Sequence, residues 1–190
     1  DVSQYRLTAH LGLAVAVYGF MIWLVLRITA PTRYIPRSPQ WAPLLLPLAV
    51  YLMVLSGGFV AGTDAGFSYP TWPLMGEHFF PPSLYADGVR SAFEQVTTIQ
   101  FNHRMFAYLL AIVITLVAVV NWRATDDGRV RVGSVLMTGA LAVQILLGIS
   151  TLLTHVAIPI AAAHQGGAVL LLTAVLFFGH ARLTERSRIR

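Results

Sequence analysis

Three histidines in this sequence have the spacing to do chemistry together: His10, His103 and His164. Each opens a long uncharged or nearly uncharged run that closes on an arginine. His10 lies 17 residues before Arg27, His103 lies 20 before Arg123, and His164 lies 18 before Arg182. At helical rise those separations are roughly 25–30 Å, so three helices running the same way would hold the imidazoles at one depth. An ionisable side chain inside an apolar span is costly and marks a functional position by default. Neutral imidazole is an axial ligand of haem iron, and two histidines on facing helices can clamp one haem edge-on between them. Zinc fits less well, because the chain has no cysteine and no acidic cluster beside these histidines to complete a tetrahedral set. The remaining histidines read as structural: His78 in a long loop, His155 in a short turn and His180 at the far end of a helix. His180 is 16 residues from His164, about 24 Å along a helix, so the two cannot share an iron.

The elements that must hold these side chains are membrane spans. Of 190 residues, 56% are apolar and only 11% charged, and the mean hydropathy is +0.68. Soluble domains carry about 25% charged residues, so a water-soluble enzyme, a nucleic-acid module and a disordered tail are excluded. The net charge of +5 comes from 13 arginines and no lysine. Basic residues at the ends of apolar runs read as membrane topology, not as a phosphate-binding face. The absence of cysteine excludes a disulfide scaffold, an iron–sulfur cluster and a cysteine nucleophile. Asp64, Glu77, Asp87 and Glu94 are not spaced as an acid–base pair, and no phosphate-loop, dinucleotide or serine-elbow motif occurs.

About 20 apolar residues cross a bilayer core of ~30 Å. The uncharged stretches give spans over Leu7–Leu26, about Pro43–Gly62 and Met105–Trp122. A further run of 50 uncharged residues, Val132–Ala181, is too long for one span and breaks at Thr154–Pro159 into spans over about 132–153 and 160–181. The fold class is therefore all-α, a polytopic transmembrane bundle with five helices in this chain. Ten arginines fall on the side of the 31–42 loop, the third-to-fourth connection and the tail 182–190, against Arg6, Arg90 and Arg104 on the other. This bias predicts a cytoplasmic (or mitochondrial matrix) C-terminus and histidines near the outer side.

The first and last spans share a pattern, Ala9-His10-Leu11-Gly12-Leu13-Ala14-Val15 against Ala163-His164-Gln165-Gly166-Gly167-Ala168-Val169, at an offset of 154 residues. Read as a duplication, residues 43–181 form a complete four-helix, haem-binding half whose ligands are His103 and His164. Residues 1–30 are then the last helix of a preceding half, with His10 one member of a second pair. The whole becomes an eight-helix, pseudo-duplicated (4+4) protein, and a chain that opens without methionine just before a span fits part of such a protein. Between the second and third spans lies a long segment rich in Trp, Tyr, Phe and Pro, suited to an ordered lid at the interface. Arg104, beside His103, suits a haem propionate.

The runs Gly57-Gly58-Phe59-Val60-Ala61-Gly62-Thr63-Asp64-Ala65-Gly66-Phe67, Thr71-Trp72-Pro73-Leu74-Met75-Gly76, Gln100-Phe101-Asn102-His103-Arg104 and Ala163-His164-Gln165-Gly166-Gly167 resemble the haem A synthase family. The likeness is closest to its Gram-negative and mitochondrial branch and covers essentially the whole chain. The resemblance implies eight transmembrane helices in two halves and oxidation of a methyl group of haem O to the formyl group of haem A, for terminal oxidase assembly. It implies a b-type haem between His103 and His164, and His10 as an axial ligand of the substrate haem. The family's catalytic glutamate belongs to a helix outside this chain. Its equivalent here is Gln100, to which no acidic role carries over. Implied partners are haem O, haem A, membrane lipid, haem O synthase and oxidase assembly factors, with no nucleic acid and an unassigned electron donor. The implied location is the bacterial inner membrane, or else the mitochondrial one. Two other readings stay open at this point: an electron-transferring cytochrome b subunit without haem-modifying activity, and a haem-free transporter or assembly protein that uses its histidines for packing.

Overall fold

A computed structural model describes residues 3–29 and 42–184. Five long helices are each apolar enough to cross a membrane: α1 (Gln4–Thr29), α2 (Ala42–Gly62), α4 (Val96–Ala124), α5 (Gly128–Leu153) and α6 (Ile158–Leu183). A short helix, α3 (Ser91–Glu94), precedes α4. The protein is an all-α integral membrane protein. The expected 31–42 loop and 182–190 tail lie outside the described residues, apart from Ala42 at the head of α2 and residues 182–184 at the end of α6.

The helices are longer than the uncharged runs, most of all α4, which begins at Val96 rather than Met105. The early start follows from where Arg104 puts its charge. Its side chain is 6% exposed, and it donates to the carbonyls of Leu74 (3.2 Å) and Tyr69 (2.7 Å) in the loop above. A charge solvated by fixed carbonyls does not have to end a helix. At the head of α5 the Asp127 side chain accepts from the backbone N–H groups of Arg129 and Val130, a carboxylate N-cap. The break between α5 and α6 is made by His155 (φ 52°) and Val156 (φ 59°), both left-handed. The Val156 N–H reaches back to the Thr151 carbonyl at 2.8 Å, closing α5 in the manner of a Schellman turn. Pro159 then sits in the first turn of α6, where its missing N–H costs nothing.

Helices α2, α4, α5 and α6 form a closed ring in which each packs on the next, and α1 lies outside against α2 and α6. The α2–α6 contact has a specific origin. Pro47 has no N–H to give the Pro43 carbonyl four residues earlier. Gly179 of α6 comes up to that freed carbonyl so closely that a Cβ on it would lie 2.8 Å from the oxygen. The hydrophobic core fills the arginine-rich end of the ring, with Val50, Ile114, Met137 and Val175 among its most buried members. Its buried members stop at Val50 in α2, begin at Leu110 in α4, stop at Leu141 in α5 and begin at Leu171 in α6. The other half of the ring, where His103 and His164 stand, holds none of this cluster's buried members.

Candidate functional site

His10 is the seventh residue of α1, His103 the eighth of α4 and His164 the seventh of α6. Cross-helix contacts fix their relative depth. Tyr18 and Thr173 hydroxyls meet at 2.7 Å, and Trp23 packs edge-on against His180 with ring centroids 5.4 Å apart. These pairs set α1 and α6 parallel, with His10 level with the His164 region. Ser56 of α2 bonds His103, while its neighbour Leu55 touches Gly12 of α1. All three histidines therefore share one level.

Level does not mean meeting. On α4 and α6 the histidines head the stripes that turn into the ring: His103 leads to Leu110 and Ile114, and His164 leads to Gly167, Leu171 and Val175, all buried. In the ring α4 and α6 stand opposite each other, so the two histidines are carried on helices that face across it. On α1 the corresponding stripe, His10, Leu13, Val17, Met21, Leu24 and Ile28, is exposed throughout. The structure thus brings His103 and His164 together and leaves His10 on an outer face.

The surroundings of the two inner rings are specialised. His103 Nδ1 is 3.0 Å from Ser56 Oγ, and Gly57 leaves room beside it, since a Cβ there would touch the His103 Cε1 at 3.5 Å. The Cε1 edge of His164 comes up against α5 where Gly148 offers no side chain; a Cβ at 148 would come within 2.9 Å of its Cε1 and 3.4 Å of its Nδ1. That Nδ1 is buried without a hydrogen-bond partner, on the side where Gln144 stands one turn before Gly148 in α5. Sequence reasoning did not single out Ser56, Gln144 or Gly148 as site residues. Ser56 precedes the Gly57-Gly58 pair and so carried a weak local signal. Gly148 lies 16 residues from the histidine it accommodates and carried none.

Above this level the loop 63–95 is drawn onto α4. Gln100 and Arg104, one turn apart, both donate to the Tyr69 carbonyl, at 3.3 and 2.7 Å. Tyr85 donates to Asn102 Oδ1 at 2.9 Å, and Phe80 packs on Phe101. Phe59 sits between Tyr5 and Phe93, tying the heads of α1 and α3 to the end of α2. Two guanidinium nitrogens of Arg104 are thus committed to the loop, its Nε is buried without a partner, and among the described residues no carboxylate pairs with it. His78 and His155 are exposed. His180, 1% exposed, accepts from Arg129 at its Nδ1 at the opposite end of the bundle.

The family model of COX15-CtaA, described as cytochrome oxidase assembly protein, matches residues 1–176. The chain belongs to this family. Among curated relatives, it is 47% identical over 186 residues to the heme A synthase of Nitrosospira multiformis, a match covering 94% of this chain and 52% of the relative. It is 40% identical to the heme A synthase of Nitrosomonas eutropha, over 93% of this chain and 52% of the relative. It is 38% identical to heme A synthase COX15 of Homo sapiens, over 93% of this chain and 45% of the relative. The chain thus spans about half the length of the curated relatives it matches. At its histidine level the chain places Ser56, Gly57, His103, Arg104, Gly148 and His164.

Proposed function

We propose that the chain is the C-terminal, b-haem-binding part of a haem A synthase, an oxidoreductase that converts the methyl group of haem O to the formyl group of haem A. The observation that carries this reading is the pair His103 and His164, on opposite helices of a four-helix ring and at one level beyond its packed core, with a glycine against each ring. The donor set suits iron porphyrin: two imidazoles on opposing helices, and no third His, Asp, Glu or Cys among the described residues to make another kind of metal site. The buried, unpartnered Nδ1 of His164 is the arrangement of a ligand whose other nitrogen turns to a metal.

In this reading His103 and His164 would hold a haem b, which when bound would supply one-electron transfer to or from the substrate site. The chain's own residues fix the rings and close the site. Arg104 holds the loop 63–95 over the outer end, and its buried positive charge, with Nε unused, favours a haem propionate alongside. His10 is an axial ligand of the substrate haem O, and the exposed stripe it heads on α1 faces the other half of the full-length protein. Residues 43–181 are then the C-terminal four-helix half, residues 1–30 close the N-terminal half, and residues 31–42 and 182–190 are cytoplasmic. The protein sits in the bacterial inner membrane with its histidines toward the outer side, handing haem A on for terminal oxidase assembly.

The test is extraction of pigments from cells that make haem O and express the full-length protein, followed by chromatographic separation of the haems. Formyl-bearing or hydroxylated haem, absent from cells without the protein, is the expected result. A protein that binds haem b yet leaves haem O unmodified would instead be an electron-transferring cytochrome b subunit.

A further inference from the structure

The two inner histidines are steadied in different ways. Most hydroxyls in these helices turn back on the carbonyl one turn earlier: Thr63 on Phe59, Thr115 on Ala111, Thr151 on Leu147 and Thr173 on Val169. Ser56 instead reaches across from α2 to His103 Nδ1 at 3.0 Å. No side chain plays that part for His164, whose Nδ1 is buried without a hydrogen-bond partner. If the Ser56 hydroxyl donated to Nδ1, the His103 Nε2 would carry the ring proton and have no lone pair to offer. If Nδ1–H donates to Ser56 Oγ, Nε2 is left free to bind a metal.

We propose that Ser56 is a positioning residue for iron ligation: by accepting the Nδ1–H of His103 it fixes the tautomer and the ring plane that present Nε2 to the haem b. The inference rests on the bis-histidine reading above. A hydrogen bond of this kind also raises the basicity of the ligand and so favours ferric over ferrous iron. Ser56→Ala removes the acceptor without adding bulk, and Ser56→Thr restores it.

The experiment compares wild type, Ser56→Ala, Ser56→Thr and His103→Ala of the full-length protein, purified in detergent with haem supplied during expression. Three quantities are read: the dissociation constant for added haem b, the midpoint potential by redox titration, and the low-spin optical spectrum. Ser56→Ala is expected to weaken haem binding about 10- to 100-fold and to raise the midpoint potential. Ser56→Thr should return both toward wild type. Unchanged affinity and potential in Ser56→Ala, with the spectrum still lost in His103→Ala, would overturn the role of Ser56 and leave the ligand assignment standing. A low-spin spectrum that survives His103→Ala would overturn the ligand assignment, and the role of Ser56 with it.

Discussion

A histidine in an apolar span announces chemistry, but the residues that make it usable are ordinary ones. Arg104 shows how a charge is carried at that level. Its guanidinium reaches two loop carbonyls that one ammonium group could not bridge with the same fork. Hydrogen bonds to a charged group contribute about 1.5–3 kcal/mol each. Arg104→Ala should therefore lower the thermal midpoint in detergent and expose the loop 63–95 to limited proteolysis, with Arg104→Lys recovering little. A loop equally resistant in both variants would mean that Tyr85, Phe80 and Gln100 hold it without the arginine. The three histidines and Arg104 were legible as candidates from type and spacing alone. Ser56, Gly148 and the loop role of Arg104 were not, because each depends on a neighbour 16 to 47 residues away in sequence.

At the scale of the elements, uncharged runs marked all five helices, and they missed the ends where polar groups find partners. The first seven residues of α4 are polar-rich and precede both His103 and the Met105 start of the uncharged run, yet Thr98 and Gln100 are buried there under the loop 63–95. Helix contacts turn on glycines that sequence alone does not rank. Gly179→Ala sets a Cβ against the fixed Pro43 carbonyl, a backbone atom that cannot step aside. Overpacking of this kind costs about 1–3 kcal/mol, so a lowered thermal midpoint is expected with haem content per folded protein unchanged. Gly148→Ala should do the converse, displacing the His164 ring and reducing haem retention while helical circular dichroism and the thermal midpoint of the haem-free protein hold. If the two variants proved alike in both measurements, the ligand level and the packed end of the ring would not be separate.

Over the whole molecule, the sequence repeat and the structure agree on level and differ on exposure. The same A-H-x-G-x-A-V pattern heads an exposed stripe on α1 and a buried one on α6. The pattern alone could not tell them apart, because exposure depends on which helices stand alongside, and the ring α2–α4–α5–α6 excludes α1. The arginine bias sets the expected orientation. Since this chain has no cysteine, single substitutions within it report the orientation once any cysteine elsewhere in the full-length protein is replaced. In intact spheroplasts of cells expressing the protein, His78→Cys should react with a membrane-impermeant maleimide, and Arg123→Cys only after permeabilisation. The reverse pattern would invert the topology and put the histidine level on the cytoplasmic side.

Ligation of one b-type haem by His103 and His164 is tested most directly by a reduced-minus-oxidised optical spectrum of the purified protein, recorded beside His103→Ala and His164→Ala. Bis-histidine ligation predicts a low-spin b-type signal in the wild type that either substitution abolishes, while His10→Ala leaves it in place. A wild type without the signal, or one whose signal survives both substitutions, would contradict the assignment.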